Sequence, residues 1–199
     1  MSQQIMFHIL FILSILGYGV LSFIAHIFTT KFFGAIIGRK ILHILFLGSW
    51  FIYLHFINLS YQIYITGLIL CVVGIILIML APNFHRKIDV IIYSLIFLFC
   101  IADQSHIYQN SIRLSILCLA DGLAPIMAII FRRINIQISV YNKKTLIGSL
   151  TVLLVTSLIL ASAQFAISDI IGISVIITLV EYISEHDNLS IFLVLLLLI

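Results

Sequence analysis

The sequence predicts an all-α, polytopic transmembrane helical bundle of about seven spans, with a broken fifth helix. Three observations predict it. Hydrophobic residues make up 63% of the 199 and charged residues only 9%, with a mean hydropathy of +1.31. No soluble domain of this size buries that much apolar surface. The apolar residues gather into runs of span length, about 20 helical residues each. The cations between the runs occupy every second loop.

The elements follow in order. Ile5–Phe28 is the first span. It follows Met-Ser-Gln-Gln without a basic n-region and is too long for a signal-peptide core, so it is expected to be retained. Ile41–Ile57 is the second. Gln62–Ala81 is the third, closed by Pro82. Ile88–Ala102 is a shorter fourth. Ile112–Phe131 is the fifth. Within it Pro125 lacks the N–H that would serve the Asp121 carbonyl, and Gly122 adds a second weak point. The helix is expected to break there, with Asp121 near the start of its second half. Leu146–Ile167 is the sixth, and Ile170–Val180 opens a seventh. Leu189–Ile199 would reach only about 16 Å as a helix, half a bilayer core. It reads as a half-helix, an early end, or the close of an interrupted span. No repeat or low-complexity linker divides the chain, so residues 1–199 form one integral-membrane domain.

Loop charges set the expected orientation. Loop 29–40 holds Lys31, Arg39 and Lys40. Loop 82–87 holds Arg86 and Lys87. Loop 132–145 holds Arg132, Arg133, Lys143 and Lys144. The intervening loops 58–61, 103–111 and 168–169 hold no Lys or Arg. The positive-inside rule makes the basic loops cytosolic and puts the N-terminus outside. The net charge of +3 reports orientation, and no Lys/Arg stripe with interleaved aromatics suggests nucleic acid. Cys71, Cys100 and Cys118 are far apart and form no Cys-x-x-Cys pair, which fits packed thiols.

Three polar islands interrupt this apolar chain. A charge at the centre of a span costs about 3 kcal/mol, so each island is a functional candidate. The first is Arg39-Lys40-x-x-His43, with Arg39 and His43 on one helix face. The second is Asp121-Gly122-Leu123-Ala124, followed by Lys143-Lys144-Thr145-x-x-Gly148-Ser149. On a continued helix Ala124, Ala128 and Arg132 share the face of Asp121, a smooth groove rising to a cation. Asp121 could also serve simply as an N-cap. The lysines beside a helix start, with hydroxyls and free helix N–H groups, suit a phosphate. Positive flanks on a span are also commonplace. The third island is Glu181-x-x-Ser184-x-x-Asp187-Asn188-Leu189. Its carboxylates suit Mg²⁺, which takes one or two carboxylates plus substrate phosphates. Asp187 could equally cap the last helix.

In this order the islands resemble the diacylglycerol/polyprenol kinase family: dolichol kinase, phytol kinase and the CTP-dependent diacylglycerol kinases. They are distantly similar to the CDP-diacylglycerol synthases. The resemblance covers residues 36–192 and rests on Arg39, Lys40, His43; Asp121, Gly122, Ala124; Lys144, Thr145, Gly148, Ser149; and Glu181, Ser184, Asp187, Asn188, Leu189. It departs from the family pattern at Ala120, at Ala128–Arg132, at Ile36–Gly38 and after Leu189.

The resemblance implies a lipid-alcohol kinase that uses CTP. Its substrate would be a membrane isoprenoid alcohol or diacylglycerol. Asp121, Asp187 and Glu181 would be catalytic, with Mg²⁺ on Asp121 and Asp187. Arg39, Lys40, His43, Gly122, Arg132, Lys143, Lys144, Thr145, Gly148, Ser149 and Asn188 would bind the nucleotide and its phosphates. Cytidylyl transfer to phosphatidate is the enzymatic alternative. A small transporter, or a degenerate family member, is the other.

Overall fold

The structure is a computed structural model. It describes residues 21, 24–34, 37–38, 40–41, 44–45, 87–133, 139–141, 144–184 and 187–199. The third expected span, Gln62–Ala81, lies outside these residues. The first and second are described only in part, helical at 24–33 and at 40–41 and 44–45.

From residue 87 on, the described chain is mostly helical. Helix α1 is Lys87–Ala102, and a short 3₁₀ turn, Gln104–His106, leads into α2, Ile107–Ser115. A π-helical turn, Ile116–Ala120, joins α2 to α3, Asp121–Arg133. Strands β1, Ser139–Tyr141, and β2, Lys144–Thr145, pair antiparallel within the basic loop. The last helices are α4, Leu146–Ser162, α5, Ile167–Ile183, and α6, Asp187–Leu198.

The fifth helix is not broken. Residues 107–133 form one continuous rod, and Ile107–Arg132 is long and apolar enough to cross a membrane. A proline ring crowds the carbonyl four residues earlier, here Asp121. The chain meets that demand with a wider π turn ending just before Asp121, a bulge that keeps the helix continuous. Leu146–Ser162 and Asn188–Leu198 are shorter apolar helices, so the described residues do not reach seven spans.

The expected sixth span ends early. Gln164 takes a left-handed φ of 62°, and the Phe165 N–H returns to the Leu160 carbonyl at 3.1 Å. This is the usual way to stop a helix and satisfy its last carbonyls. Ile167 therefore opens α5 instead of closing α4.

Packing explains why these helices are apolar all round. Helix α4 lies against α3 and α5, α5 against α6, and α6 against α1. On α4 the buried residues are Gly148, Val152, Thr156 and Leu160, and the exposed stripe is Leu146, Leu150, Leu154 and Leu158. On α5 the interior receives Ile173, Ser174, Ile177 and Glu181, while Ile167, Ile171, Val175 and Leu179 face outward. A soluble helix would turn its leucines in and its hydroxyls out. Here the polar groups are inside and tie the helices together: Ser157 donates to Ser174 across α4 and α5 at 2.9 Å. That arrangement suits a hydrocarbon surround.

Candidate functional site

The islands meet at the end of the bundle where α4 begins and α5 finishes. Helix propensity alone would not bring them there. One glycine lets the helices close, and a second lies where two of them touch. A Cβ on Gly122 would strike the Ile44 side chain, so the second island's helix can approach the first island only because the side chain is missing. A Cβ on Gly148 would lie 3.7 Å from the Ala124 carbonyl oxygen and 3.1 Å from Thr145 Oγ1. Ala124 and Gly148 are thus the small-residue contact between α3 and α4.

This close approach pairs the charges. Lys40 Nζ donates to Asp121 Oδ2, with only 12% and 5% of the two side chains exposed. Lys144 Nζ donates to Glu181 Oε1 at 2.5 Å, linking β2 to α5. Asp121 and Glu181 therefore each have an ammonium against them. Inside a low-dielectric bundle such a pair holds together because separating it would leave a bare charge. Glu181 keeps one further demand: its Oε2 is buried and has no hydrogen-bond partner.

The remaining expected residues divide as follows. Thr145 is the N-cap of α4, its Oγ1 accepting from the Gly148 N–H at 3.1 Å. One of the helix N–H groups expected to be free for a phosphate is therefore already used. Ser149 is half-buried beside it, and Arg132 is exposed near the end of α3. Ala124 packs on Gly148, so the smooth groove expected along α3 is closed at its Asp121 end. Asn188 is half-buried in the first turn of α6. Ser184 and Ser190 share a hydrogen bond of 2.7 Å that clasps the α5–α6 turn. Arg39, His43 and Lys143, and the side chain of Asp187, lie outside the described residues.

Among the described residues no three His, Cys, Asp or Glu side chains are grouped to hold an ion. Asp121 and Glu181 are each already neutralised by a lysine. A divalent cation wants uncompensated oxygens, and it would find them here only if it arrived with phosphates of its own.

Sequence reasoning did not foresee which lysine meets which acid. It also passed over Arg113, buried in α2 with Asn110. An arginine inside an expected span was the available signal.

No known protein family, curated protein or solved structure matches the chain.

Proposed function

We propose that the protein is a membrane kinase that transfers the terminal phosphoryl group of a nucleoside triphosphate to a lipid alcohol. The resemblance of the islands makes CTP the donor and an isoprenoid alcohol or diacylglycerol the acceptor. One observation supports the reading most: two lysine–carboxylate pairs, Lys40–Asp121 and Lys144–Glu181, converge at one end of an apolar bundle.

Phosphoryl transfer asks for positioning and charge neutralisation more than covalent chemistry. Lys40 and Lys144 would turn from their carboxylates to the phosphate oxygens. The nucleotide arrives as its Mg²⁺ complex, so the metal is part of the substrate. Asp121, released from Lys40, would face that complex, with Asp187 as the second acid. Glu181 Oε2 is a buried acceptor in want of a donor. The hydroxyl of the lipid would supply one, and its proton would pass to Glu181 as the oxygen attacks. The lipid tail would lie on the exposed leucines of α4 or the apolar face of α5. The basic loops then face the cytosol and the N-terminus the opposite side. A cysteine placed at the exposed Lys31 should be labelled only after the membrane is opened.

The test is transfer of label from CTP to a panel of phytol, polyprenol and diacylglycerol. Label on the γ-phosphate should enter the lipid, and should fall at least a hundredfold in Glu181→Gln and Asp121→Asn at equal abundance, on the order of 3 kcal/mol of transition-state stabilisation. Entry of α-label with release of pyrophosphate would make the protein a cytidylyltransferase. No entry of either label would leave the transporter class ahead.

A further inference from the structure

Among the described residues one buried cation, Arg113, has no acid. Tyr108 of α2 reaches the Ala163 carbonyl just past the end of α4, whereas the Lys144–Glu181 pair sits at that helix's start. Helix α4 is 17 residues long, so the two ends lie about 25 Å apart. Arg113 is five residues from Tyr108 and eight residues, about 12 Å along the same rod, from the Asp121 that Lys40 holds.

Its surroundings are unusual. Arg113 is 7% exposed. Its Nη1 donates to Asn110 Oδ1 at 2.6 Å. Its Nε is buried with no hydrogen-bond partner, and among the described residues it forms no ion pair. Asn110 is fully occupied in turn, its Nδ2 donating to the carbonyls of Cys100 and Asp103 at 3.2 and 3.1 Å.

The composition makes the gap general. The chain has seven acids: Asp89, Asp103, Asp121, Asp169, Glu181, Glu185 and Asp187. No acid precedes Asp89, so the first 86 residues contain no counter-ion wherever they lie. Asp121 and Glu181 serve the lysines. Asp103 is engaged by Ser105, His106 and Asn110. Asp169 is exposed at the start of α5. Asp89 stands at the opposite end of α1 from Cys100, 11 residues or about 16 Å away. Asp187 opens α6, six residues past Glu181, and Glu185 lies outside the described residues.

A guanidinium buried against one neutral amide is costly unless negative oxygen comes from elsewhere. Asn110 takes Nη1, which leaves the edge formed by Nε and Nη2. That edge is the fork that takes an oxyanion through two parallel hydrogen bonds. We propose that Arg113, positioned by Asn110, is the anchor of a second site that binds a phosphate-class oxyanion at the end of the bundle opposite the paired lysines. A phosphomonoester lipid headgroup and inorganic phosphate present the same oxygens, and the site would take either chemistry. The occupant fills the role of the missing acid and braces the α1–α2 hairpin.

The experiment uses the full chain in nanodiscs of phosphatidylcholine, without nucleotide. Thermal unfolding is followed as phosphatidate is added to the bilayer or inorganic phosphate to the buffer. The melting temperature should rise with at least one of them. A rise with phosphatidate alone identifies a headgroup site, and a rise with phosphate alone a soluble-anion site. Arg113→Gln should weaken the response by on the order of tenfold in apparent affinity, since two charged hydrogen bonds disappear. Arg113→Lys keeps the charge and tests the fork if the Gln variant does not accumulate; it should retain only part of the response. Lys31→Gln removes an exposed cation and should change nothing. A response equal in wild type, Arg113→Gln and Arg113→Lys would overturn the proposal. So would an equal loss in Lys31→Gln, which would mean diffuse charge attraction. No response to either anion would mean that water alone meets the fork, and would also overturn it. Lys144→Met separates this site from the proposed nucleotide site: the phosphatidate response should survive there, and its disappearance would place the anion at the other end.

Discussion

The two ends of the bundle treat buried charge in opposite ways. At the α4 start, every described lysine of the site has a carboxylate, Lys40 with Asp121 and Lys144 with Glu181. At the α1–α2 hairpin the buried cation, Arg113, has an amide, and the nearby acid, Asp103, is spent on Ser105 and His106. The first arrangement is neutral and closed. The second is a standing positive charge with an unused edge. The lesson is that polar residues within one apolar chain can have different standing: a matched pair stabilises as built, whereas an unmatched group invites a ligand.

The largest expected effect comes from breaking a matched pair. Lys40→Met leaves Asp121 buried and unpaired, and should cost about 3–5 kcal/mol in thermal or denaturant unfolding. Adding Asp121→Asn to it should recover most of that loss, because the uncompensated charge is gone. If the double variant is as unstable as the single one, Lys40 acts through packing and the paired end is not what holds it.

A smaller effect is expected where backbones touch. Gly122→Ala drives a methyl into Ile44 and should destabilise by about 1–3 kcal/mol. Ile44→Ala in the same chain should relieve part of it. No penalty in Gly122→Ala would mean that the first island does not sit against Gly122.

At the hairpin, Asn110→Ala removes the bonds to Cys100, Asp103 and Arg113 together. It should cost about 1–3 kcal/mol and raise hydrogen exchange at the end of α1. The Lys144–Glu181 end should exchange as before, so the variant reads out one end alone.

The smallest effect concerns pH. Hydrogen bonds from Ser105 and then His106 hold the Asp103 carboxyl at about 2, below its ordinary 3.8. A depressed carboxyl stabilises the fold above its unfolded value and loses that contribution as pH falls through the folded one. The hairpin should therefore loosen between about pH 3.8 and 2, and not between pH 5 and 8, as followed by local exchange or by the Asp103 carboxyl resonance. Ser105→Ala should move the onset of loosening upward.

Much of this protein was legible in its sequence. Hydropathy alone predicts helices over 88–102, 112–131, 146–167, 170–180 and 189–199, and helices lie on each. That is so because an apolar run offers its backbone few polar side chains, and a helix satisfies the backbone hydrogen bonds locally. The islands are legible for a related reason: charge among apolar residues is costly, and few residues carry it. What the sequence does not hold is partnership. Lys40 and Asp121 are 81 residues apart, and Lys144 and Glu181 are 37 apart; either lysine suits either acid by chemistry. Gly122 against Ile44 bears on the match through how closely the helices can lie. The unbroken rod at Pro125 was likewise settled by the π turn beneath Asp121, a backbone adjustment that residue types do not announce. Arg113 shows the division most clearly. Its place in an apolar run is plain from the sequence, but that it forms no ion pair among the described residues follows only once α1 and α2 have their places in the bundle.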